Sequence, residues 1–192
     1  MRLMRFTLPL LAVLPFYASA DACDTVAKWG GNAASCRANA AASGATIIDN
    51  WMTYKPVSGR NPKTGKKGLF TSTSTPATDL IGLKPKKFNF LYLDCFDQKR
   101  QMRLDEPGSV ALLTLKDKIL TFKVDDQPTF TETWELDLSD KSHHAPASSA
   151  LAAKLKGAKK LEVTWRYNEG RPPVGFVFAV NGFDKASASL CK

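Results

Sequence analysis

The two histidines of the sequence, His143 and His144, are the first candidates for acid–base or nucleophilic chemistry. They are adjacent, in a stretch that resembles a polar loop before a helix. A hydrolase triad would need a serine or cysteine brought to one of them, and the G-x-S-x-G pattern that presents a nucleophilic serine is absent. Together with Asp140 they could hold a divalent ion, but zinc sites need three or four converging ligands. We therefore expect a solvated loop, without a catalytic histidine or a designed metal site.

Paired carboxylates and phosphate-binding loops are the other patterns that could carry chemistry. The nearest carboxylate pairs are Asp94 with Asp97 and Asp125 with Asp126, but most of these positions are strand ends or turns, where aspartate makes local hydrogen bonds. Segment 59–68, GRNPKTGKKG, resembles a P-loop, yet a lysine stands where that motif requires Ser or Thr. The sequence therefore predicts a protein that is not an enzyme and binds no cofactor.

The four cysteines are an even set, which favours two disulfides if the protein is exported. Four cysteines allow three pairings, and we favour Cys23 with Cys36 and Cys95 with Cys191, because each pair lies within one stretch of consistent composition. The second bridge would close a loop of about 100 residues, worth about 4.7 kcal/mol in the chain-entropy model. A lipidated Cys23 is the alternative, and it would leave Cys36 without a partner.

Residues 1–20 have the form of a signal peptide, with Arg2 and Arg5 before an apolar run and small residues at its end. We expect cleavage after Ala20 and a periplasmic or secreted protein. The apolar run is too short to span a bilayer, so an integral membrane protein is not expected. Cleavage removes two arginines and no acid, which lowers the formal charge from +9 to +7.

Segment 55–68 is the most basic part of the chain, and it contains no acidic residue. Its cations are Lys55, Arg60, Lys63, Lys66 and Lys67. Proline and glycine in the same stretch predict a hairpin loop or linker. The cations would attract an anionic envelope protein or an anionic envelope polymer, whereas export makes nucleic acid an improbable partner. The plain alternative is a solvated loop that keeps the protein soluble.

Hydrophobic alternation organises the rest of the chain into strands separated by turn residues. We expect two short helices clipped by a disulfide in residues 21–45, strands with the basic loop in 46–87, and a β-rich disulfide-closed domain in 88–192. Strands are predicted at 45–54, 88–96, 100–106, 109–115, 119–125, 129–138, 160–167 and 174–182, with an edge strand ending at Pro76. One amphipathic helix is predicted at 146–157 and a short terminal helix after it. The fold class expected is an antiparallel β-sandwich with one short packed helix.

The second half of the chain resembles the type VI secretion accessory proteins called TagO or VasI, over roughly residues 88–191. The residues that carry the resemblance are Leu91 to Cys95, Leu120 to Asp125, Trp134 with Ser139-Asp140, Leu155 to Leu161, Phe176 to Gly182, and Cys191. The resemblance implies an exported, β-rich periplasmic accessory factor with no enzymatic activity. The chain departs from it at Asp94-Cys95-Phe96, where Arg-Cys is usual, and in the lysine-rich segment 55–68.

These observations predict a non-catalytic binding or accessory module outside the cytoplasm, and the resemblance implies that it serves a type VI secretion apparatus. The alternative is a secreted inhibitor of a lysozyme or a protease, because small basic β-rich disulfide proteins in this compartment often have that role. A wall-active hydrolase is the third and weakest class.

Overall fold

The structure of the chain is a computed structural model. The structure describes residues 21–60, 66–83, 89–105, 117–138, 141–166 and 168–191. The expected leader, the strand at 109–115, and the residues Lys63, Ser139 and Asp140 lie outside these ranges.

The described chain contains four short helices and eleven strands. The helices are α1 (Ala22–Lys28), α2 (Ala33–Ala42), α3 (Leu151–Lys154) and α4 (Phe183–Ala188). The strands are β1 (Thr46–Ile48), β2 (Trp51–Thr53), β3 (Val57–Arg60), β4 (Lys67–Ile81), β5 (Phe90–Phe96), β6 (Lys99–Asp105), β7 (Lys118–Val124), β8 (Phe130–Asp137), β9 (Ser142–His144), β10 (Lys160–Trp165) and β11 (Val174–Ala179).

Eight of the strands form a closed antiparallel β-barrel, and the expected β-sandwich is wrong. Each strand pairs with the next in the order β4, β11, β10, β7, β8, β9, β6 and β5, and β5 pairs again with β4. The ring therefore has no edge, whereas the two sheets of a sandwich would each have two. Alternation of apolar and polar residues is the same in both architectures, so it could not distinguish them.

Strand β4 closes the ring because it is long enough to pair along both edges. Residues 70–76 pair with β5, and residues 77–81 pair with β11. The prediction of an edge strand ending at Pro76 is therefore wrong. Pro76 is tolerated because it falls where β4 changes partner on one edge, between Ser74, which pairs with β2, and Ala77, which pairs with β11.

The barrel interior is filled by aromatic and aliphatic side chains from alternate positions of the strands. Phe122, Val163 and Phe176 stand opposite one another on β7, β10 and β11, and all three are fully buried. Trp134 packs against Phe122 with ring centroids 5.4 Å apart. Burial of such side chains stabilises the fold by about 1.5 to 3 kcal/mol each.

The N-terminal helices form the expected clip, which lies on the outside of the barrel. The Cys23–Cys36 disulfide joins α1 to α2. Cys23 and Ala22 pack with Met52 in a second, smaller apolar cluster, and the indole nitrogen of Trp29 donates a hydrogen bond to the Ala77 carbonyl at 2.7 Å. Trp29 thus attaches the clip to β4.

The C-terminal segment returns to the barrel through the second predicted disulfide, Cys95–Cys191, which spans 96 residues of sequence. Phe183 of α4 packs against Trp51 at 5.3 Å, and the Trp51 indole donates to the Val180 carbonyl. All four cysteines are therefore in bridges. Helix α4 and this bridge confirm the predicted terminal helix and its attachment.

Two predicted elements are shorter than expected. The strand at 45–54 is a hairpin of β1 and β2, because Asp49 adopts φ 51° and turns the chain; Asp and Asn tolerate this region better than other residues. The helix at 146–157 is reduced to α3, although Leu151 and Leu155 are both fully buried as predicted. Within the described ranges no helix is long and apolar enough to cross a membrane.

Candidate functional site

A groove of about 710 Å³ lies beside the outer face of the β3–β6 strands. The opposite wall is the segment from His144 to Ser149, which connects β9 to α3. Volumes of 300 to 1,000 Å³ are typical of ligand sites. The groove lining is largely apolar, with charged residues at one end and a polar network in its floor. Representative lining residues are Val57, Phe70, Phe96, Lys99, Arg103 and Pro146.

The apolar part of the groove is a row of side chains across three strands. Val57 of β3 stands opposite Phe70 of β4, which stands opposite Phe96 of β5. Residues opposite one another in antiparallel strands point to the same side of the sheet. Gly68 is required beside this row, because a Cβ there would lie 2.9 Å from the Phe96 ring. Val57 ends the row and is 55% exposed.

The polar network in the groove floor consists of Ser72, Tyr92, Asp94, Arg103 and Asp105. Arg103 Nε donates to Asp94 Oδ2 at 2.8 Å, and its guanidinium lies 3.7 Å from the centroid of the Tyr92 ring. Ser72 Oγ donates to the other Asp94 oxygen at 2.6 Å. The Tyr92 hydroxyl donates to Asp105 at 3.3 Å. Each charged group thus meets a partner within the network, which is typical of a structural role.

Burial and neighbouring charges change two pKa values in this network. Burial raises the pKa of the Tyr92 phenol above its usual range, and the negative charge of Asp105 acts in the same direction. For Arg103, burial lowers the pKa, but the hydrogen bond to Asp94 and the charge of Asp94 outweigh it, so the pKa is raised. Tyr92 therefore stays protonated and Arg103 stays charged at neutral pH.

The start of β4 and the β5–β6 turn lie side by side and carry Lys66, Lys67 and Lys99, which we call the basic tip. Of these three residues, Lys99 lines the groove. Asp97 and Gln98, at φ 49° and 67°, form the tight β5–β6 turn that presents Lys99. Lys66 forms an ion pair with Asp97. The hydrogen bond that Lys66 donates to Asp97, the charge of Lys66 and the nearby charge of Lys99 all lower the Asp97 pKa.

The five predicted anion-binding residues do not form one cluster. Lys66 and Lys67 lie in the basic tip, and the backbone of Arg60 pairs with Lys67. Lys55 lies elsewhere: a Cβ placed on Gly44 would be 2.6 Å from Lys55 Cε, so this side chain extends across Gly44. Lys63 is outside the described residues.

Lys99 is the residue of the basic tip that the sequence analysis missed. Lys99 stands 32 positions after Lys67 and is brought near by the pairing of β4 with β5. Its only signal in the sequence was a cation beside a predicted turn. That signal is too common to identify a site.

The histidine pair is not in a solvated loop, and that prediction is wrong. His143 and His144 belong to β9, which joins β6 to β8 in the barrel wall. His143 is 2% exposed. Ser142 Oγ and His144 Nε2 are 3.0 Å apart and hydrogen-bonded. Among the described residues no group of three His, Cys, Asp or Glu side chains could hold a metal ion.

The carboxylates considered for hydrolysis are separated and engaged in structure. Asp94 belongs to the polar network, whereas Asp97 lies in the β5–β6 turn with Lys66. Asp125 adopts φ 46° and accepts hydrogen bonds from the backbone nitrogens of Lys159 and Lys160. Asp94 therefore stabilises the fold through its ion pair with Arg103, and Asp97 is a turn residue.

Comparison with known proteins assigns no family to the chain. No family model matches it, and no curated protein matches it. Among solved structures, invasion associated protein B from Bartonella henselae is similar with a TM-score of 0.46 and 14% sequence identity, over 75% of this chain and 93% of that chain.

Proposed function

We propose that the protein is a non-catalytic binding module of the cell envelope, which holds an anionic partner at the basic tip and in the adjoining groove. The observation that carries the proposal is that Lys66 and Lys99 both act on Asp97 beside the apolar groove that Lys99 lines, and Lys67 follows Lys66 in the chain. Cations with an apolar surface beside them suit a partner that carries carboxylates or phosphates together with apolar groups.

The two disulfides support an envelope location, because such bridges persist in oxidising compartments. We place the protein in the periplasm or outside the cell, after removal of residues 1–20, and N-terminal sequencing of the secreted protein should begin at Asp21. A type VI secretion apparatus is the envelope assembly we propose, on the resemblance of the second half of the chain.

The test is retention of the purified protein on peptidoglycan sacculi, phosphatidylglycerol vesicles and immobilised polyglutamate at low salt. The variant Lys67→Glu with Lys99→Glu should be retained at least about tenfold more weakly on the preferred surface, because it reverses two charges of the basic tip. Lys66 is left in place so that Asp97 keeps its ion-pair partner.

The matched control is Lys123→Glu with Lys156→Glu, which changes the net charge equally at two exposed residues outside the groove lining. An equal loss of retention in both variants would mean that only the net charge of the protein determines retention, and the basic tip would have no special role. Unchanged retention in both would overturn anionic binding altogether. Slowing of purified lysozyme at stoichiometric ratios would instead support the inhibitor alternative.

A further inference from the structure

We propose that the free edge of β3 receives an extended acidic segment of a partner protein, which adds to the sheet as one more antiparallel strand. This proposal rests on the proposed function, because it names the partner that the basic tip attracts. Strand addition obtains affinity from main-chain hydrogen bonds and specificity from alternate side chains.

The direction of the β4 backbone groups shows which groups of β3 face outward. The Leu69 carbonyl accepts from Asp97 N of the β5–β6 turn, so Leu69 points toward β5. Backbone groups alternate in direction along a strand. Gly68 and Phe70 therefore point toward β3.

The partners of these two residues on β3 are Gly59 and Val57. Since those residues face β4, the N–H and C=O groups of Ser58 and Arg60 face away from it. Strand β3 pairs with β4 alone among the described strands. Two donors and two acceptors are thus presented along an edge that no described strand covers.

The side chains around this edge are open as well. The apolar row of Phe96, Phe70 and Val57 ends at β3, where an added strand would place its own side chain beside Val57. On the other face of the hairpin, Leu69 is 58% exposed opposite Ser58. An added strand with apolar residues at alternate positions would extend the row on one face.

Charge determines which strand can be added. At the end of β3, Arg60 pairs with Lys67, the first residue of β4, and Lys66 precedes Lys67. A second copy of this chain would bring the same cations to the same edge, and the like charges would repel. The occupant is therefore an acidic segment of a different protein. A short strand flanked by lysines is also a common device against aggregation, so the experiment must distinguish a receptive edge from a protected one.

The experiment measures binding of the mature protein to a labelled eight-residue peptide of alternating Glu and Val by fluorescence anisotropy. We expect the acidic peptide to bind and a Lys–Val peptide not to bind. N-methylation of alternate Glu residues, which removes donors and keeps the charge, should weaken binding about tenfold, the value of one to two lost hydrogen bonds.

The protein variants form a matched pair at one position. Ser58→Pro removes the outward N–H without disturbing a bond to β4. It should weaken binding of the acidic peptide about tenfold. Ser58→Ala keeps that N–H and should bind as the unchanged protein does. Unaltered melting of both variants shows that the fold is retained, and the N-methylated peptide tests the same bond on the unchanged protein.

The outcomes separate this inference from the proposed function. Equal binding of the N-methylated peptide, or of polyacrylate with matched charge, would overturn strand addition and leave anionic binding in place. Absence of peptide binding would overturn strand addition as well, while retention on polyanions decides the proposed function separately. Equal binding of the Lys–Val peptide would contradict both.

Discussion

The polar network and the basic tip contain the same kind of ion pair in opposite surroundings. In the network, the side chains of Arg103 and Asp94 are 16% and 12% exposed. In the tip, those of Lys66 and Asp97 are 67% and 45% exposed. The first pair is held by further contacts from Ser72 and Tyr92, so its loss would leave a charge enclosed. The second can exchange its partner for water or a ligand at little cost.

The charged residues of the chain therefore have separate tasks. Residues that look reactive in the sequence, such as Asp94 and His143, are enclosed in the barrel wall and hold strands together. The residues open to a partner are lysines at the starts of β4 and β6 and in the loop before β4. Substitutions in the barrel wall should therefore change the free energy of unfolding strongly, and substitutions at the basic tip should change it little.

The largest effect is expected from the long disulfide that fixes β5 beside the network. Replacing Cys95 and Cys191 by Ser should lower the free energy of unfolding by about 4.7 kcal/mol, because the unfolded chain loses a long closed loop. The same change at Cys23 and Cys36 should cost about 3 kcal/mol, since that loop is short. Urea unfolding measures both, and a loss no larger for the long bridge would contradict the chain-entropy account.

A smaller loss is expected when the enclosed ion pair is broken. Asp94→Ala leaves Arg103 without its nearest carboxylate and should lower the free energy of unfolding by about 3 kcal/mol. The corresponding change at the tip, Asp97→Asn, removes the charge but keeps a residue that tolerates the positive φ of the turn, and it should cost less than about 1 kcal/mol. Urea titration of both variants makes the comparison, and equal losses would show that the two regions do not differ as described.

The sequence allowed the strands but not their closure to be predicted. β5 to β8, β10 and β11 follow from alternation, because each has one face in the core. Closure depends on β4 pairing along both edges, which is a long-range property without a local pattern. β9 was missed because three residues, two of them histidines, carry no alternation. The candidate site was found in part, since segment 55–68 was visibly basic whereas Lys99 joins it only through the fold.

The free energy of unfolding should depend on pH through Tyr92, which belongs to the enclosed polar network. Burial raises the pKa of this phenol above the value of 10.0 that it has when unfolded. The folded protein therefore keeps a proton that the unfolded chain loses, and stability should fall as the pH rises above about 10. Tyr92→Phe should show a flatter decline in urea unfolding between about pH 9 and 11. Identical pH profiles for the two proteins would contradict the burial of the phenol.

The smallest effect is expected at the tip, in the titration of Asp97. The hydrogen bond from Lys66 lowers the Asp97 pKa. Because the folded value is lower than the unfolded one, the pair stabilises the protein above the unfolded pKa, and this contribution is lost as the pH falls through the folded pKa. Lys66→Ala should raise the Asp97 pKa, as followed by the carboxyl carbon in NMR. Added salt should raise it in the unchanged protein as well, since exposed pairs are screened. If the Asp97 pKa responds to neither change, the carboxylate is enclosed as Asp94 is. The exposed ion pair of the basic tip would then not differ from the enclosed pair of the polar network.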